Sequence, residues 1–296
     1  MPGYDKQLIG IFSGGEFNPL PQACSRLFGI ISCLLILACC PRAMAETLTI
    51  PGSGNPYHIL TVLAQAFNSR QSEHLVLVPI STGTAGAIRD VTGGIASVGR
   101  VGRTLTTEER NKGLEYLSLG RDPIVFAGGA KVTATTITRE QAFGVLEGRI
   151  LNWRDLGGEA GTIRAIGREA SDASLLGLRR ELPDFEHLVY GADVKVVHFD
   201  HHLLELLDRY PYSFGFLNRS GLLGAKTRLV ILDFETKAPS AENLAAGRYP
   251  FWTELGLIYK KSLLSDAGQA FLQFVQSAEG LRILRDNGVL PVSERK

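Results

Sequence analysis

Apolar residues recur along this chain first at every second position and then at every third or fourth, and the alternation of the two periods predicts repeating strand and helix. Thr47–Ile50 alternates as a strand and stops at Pro51. Beyond the loop Gly52, Ser53, Gly54, Asn55, a helix opens near Pro56, with Ile59, Leu60, Leu63, Ala66 and Phe67 on one face. Leu75–Ile80 is apolar throughout, the pattern of a parallel strand covered on both faces. A second polar loop, Thr82 to Gly86, then leads into another helix, so the opening is a βαβ pattern.

The same devices recur downstream. A capped helix starts among Thr104–Arg110, Asp122–Ala127 is an apolar strand, and Thr138 with Gln141 forms a capping-box pattern for a helix ending at Gly148. Ile163–Ile166 is a short strand that delivers Gly167 and Arg168, and Ser171, Asp172 and Ser174 open the next helix. Val194–Phe199 reads as a strand, Asp200 as the cap of a helix running to Arg209, and Tyr212–Leu217 and Arg228–Leu232 as further strands. Asp266–Ser277 and Ala278–Asn287 are closing helices.

In an open α/β sheet, ligands sit beyond the carboxyl ends of the strands, where both polar loops fall. Backbone N–H groups at the mouth of a helix point at an anion, and arginines supply charge. The stretch from Val76 to Arg103 has both, with Thr82, Gly83 and Thr84 at its helix start and Arg100 and Arg103 at its end. Gly52 and Gly54 lack the third glycine of a dinucleotide fingerprint, which leaves a small oxyanion as the better match. Arg100 reads equally as a third cation of that site or as a solvated surface residue. His198, Asp200, His201 and His202 resemble a metal cluster, but they straddle a strand-to-helix junction and Asp200 is accounted for as a cap; no metal or cofactor is expected.

Before that region, Arg26 precedes an apolar run from Leu27 to Cys40, too short to span a bilayer and followed by Ala43, Met44, Ala45. Residues 1–45 therefore read as a signal peptide, with a start codon that lies further downstream than Met1. Lipidation at Cys39 is the alternative to cleavage after Ala45. All four cysteines lie in this segment, so the mature chain has neither disulfide nor thiol chemistry. Removing 45 of 296 residues leaves 251, and removing Lys6, Arg26, Arg42, Asp5 and Glu16 leaves 28 basic and 28 acidic residues. A net charge of zero points to no nucleic-acid or membrane-surface partner.

The order of several short pieces resembles one family. Gly52-Ser53 after the first strand, GTAGAI from Gly83, GRTLTTEE from Gly102, Asp122 before IVFA, LEGRILNW from Leu146, IGRE from Ile166, SFGF from Ser213, RYPFW from Arg248 and FLQFVQSAEG from Phe271 are similar to the phosphate-binding proteins of bacterial ABC transporters, within the type II periplasmic binding-protein family. That resemblance implies an α/β fold of two lobes, each a mostly parallel sheet flanked by helices, joined by two hinge crossings. Lobe 1 would take 46–125 plus about 226–296, and lobe 2 about 126–225. It further implies a periplasmic monomer that is not an enzyme, captures inorganic phosphate or a similar oxyanion, and delivers it to an ABC transporter permease. The alternatives are a sensor on the same fold that has lost transport, or a binder of another oxyanion or a small carboxylate. Ser53, Thr84 and Arg168 match the family's donors and cationic clamp, and Gly54, Asn55, Thr82, Gly83, Arg103, Ser171, Asp172 and Ser174 complete the expected site. The chain departs from the family at Gly102, where relatives carry serine or aspartate, at Ser97, and in lacking Ser-Gly-Thr after Arg168. Asp172 in that position is either an acceptor for the proton of hydrogen phosphate or, as an N-cap or partner of Arg168, part of the scaffold.

Overall fold

The computed structural model describes residues 45–292. The expected signal peptide and Cys39 lie outside the described residues. β1 (Glu46–Thr49) and β2 (His74–Leu77) pair in parallel, with α1 (Tyr57–Arg70) connecting them. Helix α1 buries Ile59, Leu60, Leu63, Ala64 and Phe67, the face set by the apolar spacing. β2 departs from the expected two-sided burial: Val76 points into the core while Leu75 and Leu77 are each 46% exposed. Alternate residues of a strand point to opposite faces, so β2 packs one face on the core and leaves the other open to solvent.

α2 (Gly83–Thr92), β3 (Val98–Val101) and α3 (Thr107–Asn111) follow. Thr106 and Glu109 close a capping box on α3. The long β4 (Glu115–Gly128) then leads into β5 (Thr136–Ile137), α4 (Arg139–Leu146), β6 (Arg164–Arg168) and α5 (Ala173–Glu181). After these come β7 (Lys195–Val197), α6 (Asp200–Arg209), β8 (Ser213–Asn218), β9 (Val230–Phe234) and α7 (Ala241–Ala245). β10 (Trp252–Tyr259) returns beside β4, and α8 (Asp266–Gln276), α9 (Ala278–Asp286) and β11 (Leu290–Pro291) finish the chain.

The main sheet runs β3-β10-β4-β8-β6-β7, with β9 and β11 also paired to β4. Pairing is parallel at β6/β7 and β6/β8 but antiparallel wherever β4 or β10 takes part. The sheet is thus mixed rather than mostly parallel, because the two strands that carry the chain between cores run against their neighbours. Two main cores flank them. Leu48, Ile59, Leu119, Leu255, Phe271 and Leu284 share one, and Ile124, Phe126, Trp153, Phe214, Phe234 and Phe251 the other. β4 contributes Leu119 to the first core and Ile124 to the second. β9 and α7 pack in the second core through Leu232 and Leu244, so the chain stays with that core past position 226 and crosses back along β10.

Candidate functional site

Three helix beginnings and the loop after β1 converge on one cleft of about 450 Å³. Its walls carry Ser53, Gly54 and Asn55, then Thr82, Gly83 and Thr84 at the start of α2, then Arg103, Arg168, Ser171 and Asp172. Those ten expected residues come together here. Ser174, the eleventh, does not line the cleft; it is fully buried behind the wall, where its hydroxyl accepts from Asn55 Nδ2 at 3.1 Å.

The first loop is pinned from beneath. Ser53 N–H donates to Arg100 O at 3.0 Å, and the peptide approaches β3 so closely that a Cβ on Gly52 would lie 2.1 Å from that carbonyl, which only glycine avoids. Arg100 is neither a ligand cation nor a solvated one. Its guanidinium is fully buried and donates to Ser53 O and Pro79 O, each at 2.7 Å, and to Ile50 O. Burial pulls its pKa down to about 10, against Tyr57 and Asp200, so it stays charged and ties together the two backbone segments that follow β1 and β2. Gly102 faces the same loop: a Cβ there would meet Asn55 Oδ1 at 2.8 Å and Ser53 Oγ at 3.0 Å. The Asn55 amide occupies the space a serine or aspartate at 102 would need. Asn55 also reaches Asn218 Oδ1 at 3.2 Å, and Asn218 Nδ2 donates to Asn55 O and to the buried Asp122.

The helix starts differ in what they offer. Asp172 Oδ1 accepts from Ser174 N at 3.0 Å and Leu175 N at 3.1 Å, so the donors of α5 are already used. At α2, Gly83 N donates to Ser81 Oγ at 3.2 Å, while Thr82 makes no side-chain cap. The Thr84 and Ala85 N–H groups find no partner among the described residues and remain open donors at a positive helix end.

Both cleft arginines are already paired. Arg168, 1% exposed, donates from Nη2 to Asp172 Oδ2 and from Nη1 to Asp200 Oδ1 at 3.1 Å, while its Nε is left without a partner. Burial pulls this guanidinium down, but the two carboxylates outweigh it and the net direction is up. Burial pushes the Asp172 carboxyl up, opposed by Arg168 and reinforced by Asp200. Arg168, expected as the cationic clamp, lines the cleft with its charge met by two carboxylates. Asp172 fills both scaffold roles, cap and ion-pair partner. Arg103 is held by Glu109 through a two-pronged pair at 2.9 and 2.8 Å, whose hydrogen bonds pull the Glu109 carboxyl down to about 2.

Asp200 was hidden in the sequence by its resemblance to a cap. The cap of α6 is Phe199, with no side-chain bond, and the Asp200 carboxylate turns instead into the cleft wall. Glu169 and His198 also line the cleft, paired at 2.8 Å. Glu169 closes the IGRE piece and His198 opens the histidine cluster, but no local pattern pairs them, since strand β6 and the segment after β7 meet only through sheet order. The rings of His201 and His202 pack 4.2 Å apart, and among the described residues no group of three His, Cys, Asp or Glu is placed to hold a metal ion.

Residues 42–279 match the PBP superfamily domain, PBP_like_2. The phosphate-binding protein PstS of Borreliella burgdorferi is 24% identical over 275 residues, covering 90% of this chain and 97% of that one. A Clostridium perfringens protein assigned as a phosphate ABC transporter substrate-binding protein, solved with bound phosphate, superposes with a TM-score of 0.68 at 18% identity, over 83% of this chain and 99% of its own. The ABC-type phosphate transport receptor of Vibrio cholerae gives 0.58 at 23% identity, over 82% and 99%.

Proposed function

The chain belongs to the PBP superfamily, and from that premise we propose that it is an exported solute-binding protein that captures a small oxyanion, phosphate first, and passes it to an ABC permease. The observation that carries this reading is the open end of α2: unpaired Thr84 and Ala85 N–H groups beside the Thr84 hydroxyl, on residues that line one cleft, with the Ser53 hydroxyl donating to Asn55 Oδ1 at 3.2 Å. Donors of this kind replace the hydration of an oxyanion, and the helix end adds favourable potential. Similarity to phosphate-binding proteins from Borreliella burgdorferi and Clostridium perfringens supports phosphate as the anion.

The protein does no chemistry in this reading. Two lobes meet along β4 and β10 and bend there to close on the ligand. Packing of β9 and α7 in the second core supports a division of the lobes near 252, rather than 226. The protein acts as a periplasmic monomer; among the described residues no helix is long and apolar enough to cross a membrane. Arg168 contributes as the organiser of the wall, orienting Asp172 and Asp200, and not as a free charge.

Calorimetry of residues 46–296 with phosphate, sulfate, molybdate and acetate tests the proposal. Phosphate is expected to bind with micromolar or tighter affinity and Thr84→Val to weaken it about tenfold, the scale of one charge-assisted hydrogen bond. If none of the four binds at millimolar concentration, the reading is wrong.

A further inference from the structure

The polar groups behind the first loop form a chain whose donor and acceptor directions are fixed from one end. Asp122, fully buried on β4, has its carboxyl pushed up to about 6 by burial, so at pH 8 it is ionised and only accepts. The Asn55 carbonyl likewise only accepts. Asn218 Nδ2 donates to both, reaching Asn55 O at 2.9 Å, and its amide therefore turns Oδ1 toward Asn55 Nδ2 at 3.2 Å. Asn55 Nδ2 also donates to Ser174 Oγ at 3.1 Å, which leaves Asn55 Oδ1 facing Ser53. An amide oxygen cannot donate, so the 3.2 Å contact between them is closed by the Ser53 hydrogen. Asn55 is buried, and no other donor reaches its Oδ1 among the described residues. Turning the Ser53 hydrogen toward a ligand would strand that oxygen without a partner.

The Ser53 and Thr84 hydroxyls thus differ in direction. Thr84 Oγ1 accepts from Gly102 N at 3.5 Å and keeps its hydrogen for an anion. Ser53 Oγ has given its hydrogen to Asn55 Oδ1 and accepts from Asn55 N at 3.4 Å, so what it has left for the cleft it lines is one lone pair. A Cβ at position 102 would stand 3.0 Å from that oxygen, and glycine leaves it uncovered. A fully ionised oxyanion brings only lone pairs to this point, and two acceptors repel. An oxyanion that keeps one O–H brings a donor.

We propose that Ser53 is the cleft's hydrogen-bond acceptor for a ligand O–H, and that Asn218 and Asp122, which act on it only through Asn55, are the positioning residues that set this direction. The inference rests on the oxyanion reading of the cleft and names the form of the anion: one that carries a proton, such as hydrogen phosphate, with its bare oxygens at the start of α2. It reverses the donor role that the family resemblance implies for Ser53.

Calorimetry at pH 8 with phosphate, sulfate and monofluorophosphate tests the assignment, since all three are then mainly dianions and only phosphate has an O–H to donate. Phosphate is expected to bind at least about a hundredfold more tightly than either of the others, because a site built around a ligand O–H rejects the analogue that lacks it. Ser53→Ala removes the facing lone pair, and Asn218→Ala releases the Asn55 amide and with it the Ser53 hydrogen. Each should lower the ratio of phosphate to monofluorophosphate affinity at least about tenfold. A loss of stability alone lowers both affinities together and leaves that ratio unmoved. Monofluorophosphate binding as tightly as phosphate in the unmodified protein, or an unchanged ratio in either folded variant, overturns the assignment and leaves the oxyanion reading standing. If none of the three anions binds at millimolar concentration, both claims fall.

Discussion

Replacing Arg168 by Met keeps much of the side-chain volume and removes the one cation shared by Asp172 and Asp200. The two carboxylates are then left 7% and 8% exposed, in a wall whose remaining donors are the Ser174 and Leu175 N–H groups. Removing one partner of a buried ion pair costs roughly 3–5 kcal/mol, because the desolvated charge left behind has no compensation. For a domain of this size each kcal/mol lowers the melting temperature by about 2–4 °C, so a fall of roughly 6–20 °C is expected at pH 8. The deficit should also depend on pH. Burial and Asp200 already push Asp172 up, and without the guanidinium that shift grows. A carboxyl whose folded value lies above its unfolded value, near 3.9, binds protons more tightly when folded, so the variant regains stability as pH falls from neutral toward that value. Circular-dichroism melts at pH 5 and pH 8 measure the difference, and Arg168→Met combined with Asp200→Asn should recover part of the loss at pH 8. A deficit below about 1 kcal/mol, or one equal at both pH values, would show that the arginine does not hold these carboxylates as described.

Three further outcomes follow from other parts of the wall. Burial pushes the Asp122 carboxyl up to about 6 despite hydrogen bonds from Ser220 and Asn218, so this residue makes the fold gain stability as pH falls from above 6 toward its unfolded value; Asp122→Asn should flatten the melting curve between pH 5 and 7.5, and an unchanged slope would count against it. Glu109, held at about 2 by Arg103, stabilises the fold at and above its unfolded value near 4.5, and that contribution is lost as pH falls toward 2; Glu109→Gln should free Arg103 at the cleft edge and tighten phosphate binding at low salt, whereas weaker binding would exclude Arg103 as an available cation. Gly54→Ala places its Cβ 1.8 Å from Asp200 Oδ2, which forces the loop from α6; overpacking of this kind costs about 1–3 kcal/mol, and a native melting temperature with full phosphate affinity would refute the close approach.

How much of this was legible in the sequence depends on the distance over which each residue acts. Helix α1, the capping boxes of α3 and α4, and the donor loops at Ser53 and Thr82–Thr84 are set by neighbours within a few positions, and their patterns can be read directly. β2 misled because a run of apolar residues cannot say whether one face of the strand or both are covered; Val76 turns into the core while Leu75 and Leu77, on the other face, are exposed. The charges were the least legible part. Arg168 and Asp172 are four apart and suggest a pair, yet the second carboxylate comes from Asp200, 32 positions away, after β7 has added to the sheet edge beside β6. Asp200 looks like a helix cap because aspartate suits a first turn. Only the packed structure shows that its carboxylate faces Arg168 on one oxygen and Gly54 on the other. Reading arginines as free clamps therefore overstates positive charge wherever strand order imports carboxylates from a distance. In this cleft that import changes the conclusion: both cleft arginines are already met by carboxylates, and the donors left for an anion are the start of α2 with the Thr84 hydroxyl.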